Sequence, residues 1–418
     1  MKKIYSLFIG LLIISSTGFA RPQYSILQSF GTKCTSCHIN TQGGGIRNNP
    51  GFLSRNAISL VEVGKAGDLI NKTSNILDEK LNINFGFDFR LQSARWKATS
   101  PTKVKVIDDT DTSEFTENLL ETARDQMLMQ FTPYLAWRPA GWLELEGQYN
   151  FAYEIENKKR YPGQQPFTAS AIFKLGEGGP LIRIGQFQPT IGTKFDDHTL
   201  LIRKYVDNNE NSRPLIPVDY AEFGAQIDYE KLEWLGVSLG VFSAKNMANL
   251  TLSNSKPVAS SDAPSVVARL SFYPNTKSYN TFFGGYWLFN KGNSINKDGQ
   301  FDDYYYIGDL YWHIGMADKF AVIAEYVRSY KHKLRSTNNF LLEVNYQVSD
   351  PINVFVRAER GNTEDNIKGE VFHHNQMVLG THIFPLPFFD LLVEYRIYDR
   401  EYYSDVATQW ALQMHIFY

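Results

Sequence analysis

The chain has 418 residues and a formal net charge of −2 at pH 7, with 42 basic against 44 acidic side chains, so it lacks the basic footprint of a nucleic-acid-binding protein. Mean hydropathy is −0.31, and beyond the first residues no run approaches the ~18 apolar residues of a membrane-spanning helix. Yet 14% of the residues are aromatic, with 24 Tyr and 29 Phe, a load that calls for an apolar surface of some other kind.

The start of the chain has the form of a secretory leader. Met1-Lys2-Lys3 is positive, Ile4 to Ile14 is apolar, and Gly18 and Ala20 put small residues where a signal peptidase cuts. Residues 1–20 are therefore expected to be a signal peptide, with the mature chain beginning near Arg21. Export fixes the compartment in which the next feature lives.

Both cysteines of the chain lie in the stretch GTKCTSCHIN, residues 32–41. Cys34-Thr35-Ser36-Cys37-His38 has the C-x-x-C-H form of c-type haem attachment. Two residues between the thiols let one short turn present both sulfurs to one porphyrin edge, and the adjacent imidazole falls beneath the iron. Competing uses are a dithiol redox pair, a zinc half-site and a plain disulfide. Zinc needs further ligands that no second cysteine pair supplies, and a thioredoxin-like pair needs a βαβ unit around it. One covalent haem c is therefore expected on Cys34 and Cys37, with His38 as proximal iron ligand.

Residues 21–80 form a monohaem segment and linker, too small to bury much core unaided. Gly43-Gly44-Gly45 and Asn48-Asn49-Pro50 read as loop, and 56–78 has room for a short helix. Between Ile39 and Lys80 there is neither Met nor a second His. A distal ligand would have to come from the remainder of the chain.

From Leu81 the pattern changes to a strict period of two. Leu81, Ile83, Phe85, Phe87, Phe89 and Leu91 alternate with Asn82, Asn84, Gly86, Asp88, Arg90 and Gln92. Sixteen such segments follow, beginning near 81, 124, 142, 166, 180, 218, 233, 264, 278, 304, 319, 336, 351, 371, 387 and 407. Short turns such as Pro139-Ala140-Gly141 take turns with long polar loops, the longest at 97–123, 191–217 and 245–263. Strands of about ten residues, even in number, with connections alternately short and long, specify an outer-membrane barrel. The fold expected for 81–418 is thus all-β, a 16-stranded antiparallel transmembrane β-barrel set in outer-membrane lipid. Trp410, Leu412, Met414, Ile416 and Tyr418 share one face of the last segment, an ending that resembles the signal read by the barrel-assembly machinery.

With the apolar face toward lipid, the interior receives Asp88, Arg90, Glu144, Glu146, Arg183, Glu222, Asp228, Arg269, Asp309, Glu325, Glu343, Arg357, Glu359, Glu394 and Arg396. Parity also turns His313, His382 and His415 inward. His198, in Asp196-Asp197-His198, lies in a long loop able to fold back into the pore, where its carboxylates could alternatively receive Fe(II). These histidines are the candidate distal ligands. A sixteen-stranded barrel is roughly 30 Å across, wide enough for a small haem segment at its periplasmic end or inside it.

Leader, CTSCH near the mature N-terminus, short linker and sixteen-segment barrel together resemble the fused monohaem cytochrome-porins, such as the outer-membrane iron oxidases. The resemblance implies an electron conduit. One haem c would pass single electrons between an extracellular donor or acceptor, with Fe(II) oxidation as one case, and periplasmic c-type cytochromes. Two alternatives remain open: a solute-transporting porin with a structural or regulatory haem plug, and a haem enzyme acting on a small molecule.

Overall fold

The computed structural model describes Lys33 and residues 80–417, except 109–110, 156–164, 177, 193–198, 207–211, 217–218, 245, 247–263, 275–279, 297–298, 317–318, 332–333, 350, 387 and 401–406. The leader, Cys34, Cys37, His38 and His198 lie outside the described residues.

The period-two segments form a single closed antiparallel sheet. Its strands are β1 Ile83–Asp108, β2 Asp111–Ala140, β3 Leu143–Tyr149, β4 Phe167–Lys174, β5 Leu181–Phe187, β6 Glu222–Tyr229, β7 Leu235–Phe242 and β8 Ser265–Phe272. They continue as β9 Asn280–Asn296, β10 Gly299–Met316, β11 Phe320–Lys331, β12 Arg335–Ser349, β13 Ile352–Asp365, β14 Glu370–Leu386, β15 Phe389–Arg400 and β16 Ala407–Phe417. A two-residue piece, Tyr153–Glu154, extends β3 alongside β2. Each strand pairs with the next, and β16 returns to β1, from Asp88↔Phe417 to Lys97↔Thr408. Closure leaves no open edge within the wall, which is what allows a sheet to sit in hydrocarbon.

The pleat sorts the side chains as alternation requires. Leu310, Phe223 and Trp410 point outward, 65%, 63% and 59% exposed, while Asp309, Glu222 and Ala411 beside them are buried. The outward surface is an apolar band between two aromatic girdles, the lipid-facing signature of outer-membrane barrels. At the short-turn end Trp142 stacks on Phe173, Trp234 on Phe272 and Phe272 on Phe283. At the long-loop end Phe289 meets Tyr304, and Tyr330 lies against Tyr304 and Tyr306.

One expectation needs correction. Residues 97–123, read above as a long loop, are mostly ladder: β1 and β2 stay paired from Ala98↔Glu121 to Asp108↔Asp111. Because β1 leaves β16 at Lys97, the pair continues past the wall as a two-stranded ribbon roughly 35 Å long. Lys103-Val104-Lys105-Val106-Ile107 explains this, since it keeps β-branched residues and a period of two. Its faces are simply not apolar enough to read as membrane strand.

The expected loop 191–217 is a loop, and it folds inward. A 3-10 turn, Leu201–Arg203, and a small ribbon pairing Lys204–Val206 with Ser212–Pro214 pack against the inner wall. Leu200 and Ile202 are fully buried in one cluster with Leu288, Ile307, Ile323 and Leu341 of the wall. Full burial of such a side chain contributes ~1.5–3 kcal/mol, which favours insertion over solvation.

Candidate functional site in the barrel lumen

Polar bonds fix the inserted loop at several points around the wall. Asn339 on β12 donates from Nδ2 to the carbonyl oxygens of Leu201, Ile202 and Lys204 at 3.3, 2.9 and 2.7 Å. The Ile202 amide donates to Glu359 Oε2 at 2.9 Å, and Arg203 pairs with Glu325 at 3.3 Å. Arg396 reaches Thr199 Oγ1 at 3.3 Å, the Tyr305 hydroxyl donates to the Leu215 carbonyl at 2.7 Å, and the Arg335 guanidinium lies over the Tyr205 ring. These partners sit on β10 to β15, so loop and wall form one packed body.

Asn339→Leu is expected to leave those loop carbonyls without their donor, at a cost of about 1–3 kcal/mol. The measurable outcome is faster protease cleavage within 187–221 and higher single-channel conductance in a planar bilayer. Unchanged values for both would show that apolar packing alone holds the loop.

The charges expected inside are all there. Arg183 pairs with Glu146 and donates from Nε to Ser170 at 2.9 Å. Lys174 pairs with Glu144 at 3.0 Å. On the other side Arg357 bridges Glu343, Glu359 and Glu394 at 3.3, 2.9 and 3.4 Å, while Arg396 closes on Glu394 from the next position of its face. Glu325, Glu343, Glu359, Glu394 and Arg357 are only 1–3% exposed. Side chains lining a wide aqueous pore would be wetted; these are enclosed and held in shared ion pairs, as low-dielectric surroundings require.

The described histidine candidates gather at the short-turn end. His382 on β14 places Nδ1 at 2.8 Å from Asp390 Oδ2, and His415 on β16 places Nε2 at 3.3 Å from Asp88 Oδ1. Asp390 is also directly across from His415 in the ladder, so the four residues form a continuous row on β14, β15, β16 and β1. A carboxylate holding one ring nitrogen is the arrangement that orients a metal-ligating imidazole. His313 stands apart on β10, its ring 4.3 Å from Phe282 and 6.3 Å from Tyr311 between centroids. Among the described residues, no group of three or more His, Cys, Asp and Glu is arranged to hold a metal ion.

Sequence reasoning passed over His374, 1% exposed on the inner face of β14. Its parity with Gln376 was a sufficient signal. A Cβ on Gly361 would lie 2.1 Å from His374 Nε2, so the glycine opposite makes the room for that ring. Asn339 carried no signal, because its partners are loop carbonyls 135–138 positions away.

Lys33 belongs to the same end of the molecule. Its ammonium lies at the short turn between β6 and β7, 5.1 Å from the centroid of the Tyr273 ring, and Tyr273 is buried in a cluster with Phe282 and Tyr311.

No protein-family model and no curated protein matches the sequence. Among solved structures, Pseudomonas putida OprB is similar over 84% of this chain and 97% of its own, with a TM-score of 0.54 at 10% identity. The outer membrane channel DcaP of Acinetobacter baumannii is similar over 80% of this chain and 97% of its own, with a TM-score of 0.51 at 10% identity. The chain therefore has the fold of an outer-membrane porin, an all-β closed barrel of sixteen antiparallel strands.

Proposed function

We propose that this porin-like barrel is the outer-membrane housing of a one-electron relay carried by a single haem c. Cys34 and Cys37 would hold the group through thioether sulfurs and His38 would ligate its iron. When bound, such a haem accepts and returns one electron at a time. An extracellular donor, Fe(II) being the simplest, gives up one electron and becomes Fe(III), and a periplasmic c-type cytochrome takes that electron on. The chain's own residues supply the setting. The inserted loop and the paired lumen charges obstruct water and ions, and the barrel supports them in lipid.

The observation that carries this reading over an open pore is the near-complete burial of lumen-facing carboxylates, such as Glu325 at 1% and Glu343 at 2%. A relay benefits from a dry, ordered interior; a diffusion pore needs a wet one. The second reading, a solute-transporting porin with a haem plug, is favoured by the fold itself, since DcaP is an outer membrane channel.

Intact cells given a membrane-impermeant reductant, and purified protein in liposomes challenged with small sugars, separate the two. The relay predicts a c-type haem whose sharp ferrous absorption band appears when the external reductant is added, with liposome swelling at background. Absence of that band, or swelling at the rate of an open porin, overturns it.

A further inference from the structure

A cation on the lipid face of a barrel is unfavourable unless an anion meets it. Two such groups stand close together on the outer wall. Arg328 on β11 and Arg360 on β13 are both exposed, while their neighbours along the strand, Val327, Ser329, Glu359 and Gly361, are buried on the inner face. Among the described residues neither guanidinium has a carboxylate partner. The carboxylates nearby are engaged elsewhere: Asn375 donates from Nδ2 to Asp399 at 3.3 Å, and Ser336 Oγ donates to Glu364 at 3.3 Å.

The polar groups around the two arginines present donors. Arg328, Asn338, Asn362 and His373 stand across from one another in one row on β11, β12, β13 and β14. Arg360 shares the face of Asn362, one step nearer the midplane. The Asn338 side-chain oxygen accepts the Tyr326 hydroxyl at 2.8 Å, and that of Asn362 lies 2.7 Å from His373 Nδ1. With each oxygen held, what the two amides have left to offer is their Nδ2 donors. Ladder spacing puts the Cα atoms of Arg328 and Arg360 about 12 Å apart, a span that two long arginine side chains can close around one headgroup.

Beside the donors lies a groove. Leu342, Ala358, Met377 and Ile397 form the next row, and the short Ala358 leaves a hollow of about 300 Å³ between Phe340, Met377 and Ile397, with Arg360 at its rim. Phe340 and Met377 are exposed, so the hollow opens outward. Arg360 is eight residues along β13 from Ile352 at the short turn, about 20 Å in height for a strand tilted near 40°. In a wall about 25 Å tall with its long loops outside, the donors fall at the outer-leaflet boundary and the groove just beneath, in hydrocarbon.

We infer that the outer face of β11–β14 binds a phosphorylated lipid of the outer leaflet, its phosphate held by Arg328, Arg360 and the Asn338 and Asn362 amides, with an acyl chain lying over Ala358. Guanidinium forks match phosphate oxygens, and a surface of donors selects an anion. The groove selects the rest of the ligand, because a free phosphate has nothing to lay against Phe340 and Met377. This site is independent of the haem reading.

The test uses full-length protein extracted from outer membranes, washed in detergent to remove loosely held lipid, and titrated with bisphosphorylated lipid A under native mass spectrometry. A single lipid is expected to bind each chain above the background of the remaining surface. Arg328→Gln/Arg360→Gln should weaken that binding about tenfold, and Ala358→Phe should weaken it about fivefold by filling the groove. Lys368→Gln, which removes an exposed charge from the neighbouring loop, should leave it unchanged. All variants should keep the heat-modifiable migration of the folded barrel. Lipid A stripped of both phosphates should bind about tenfold more weakly than the intact lipid. Equal affinity of the double variant and the wild type, or of the stripped and the intact lipid, overturns the site. Displacement of the lipid by millimolar inorganic phosphate, together with indifference to Ala358→Phe, makes it a free-anion site and overturns the lipid assignment.

Discussion

Arg357→Met is expected to destabilise the barrel by about 3–5 kcal/mol, read as a fall in the urea midpoint of tryptophan fluorescence in detergent micelles. The guanidinium is the common partner of Glu343, Glu359 and Glu394. All four side chains are no more than 3% exposed, so water cannot take over when the cation is removed. Methionine fills similar volume and leaves the charge deficit as the main change. Glu359 also accepts the Ile202 amide, so the loss should spread to the inserted loop and raise its protease sensitivity. Arg357→Lys keeps the charge but not the fork, and should recover only part of the stability. A loss below about 1 kcal/mol would place these groups in the class of solvated ion pairs and remove the dry-lumen basis of the relay.

The proposed relay predicts that the Cys34→Ser/Cys37→Ser double variant loses covalent haem completely, together with all reduction by an external donor. No thioether can form without a thiol, and these are the chain's only cysteines. Barrel assembly should be unaffected, because the wall closes through its own ladders from β1 to β16. Haem staining of denatured protein after electrophoresis reads the first outcome, and heat-modifiable migration reads the second. Staining that survives the double substitution would mean that the group is attached elsewhere.

Much of the barrel was legible because its code is local. Strand starts expected near 81, 142, 166, 180 and 264 fall at Ile83, Leu143, Phe167, Leu181 and Ser265, since a period of two between turn residues needs no partner to be recognised. The inward set from Asp88 to Arg396 followed from parity alone. Start positions failed where polarity masked the pattern: β2 begins at Asp111, not near 124, and β10 at Gly299, not near 304. Both strands run past the apolar band into water, where alternation carries no hydrophobic contrast.

By itself the sequence determined the number of segments and the face each side chain takes. Those properties depend on neighbours a few positions apart. Only the tertiary structure decided that the loop after β5 enters the lumen, that Arg203 meets Glu325 and Arg396 meets Thr199, and that Lys33 engages a turn nearly two hundred residues away. Parity fixes whether a side chain points in or out but not its angular position around the barrel, and contacts across a lumen are set by that angle once the wall has closed.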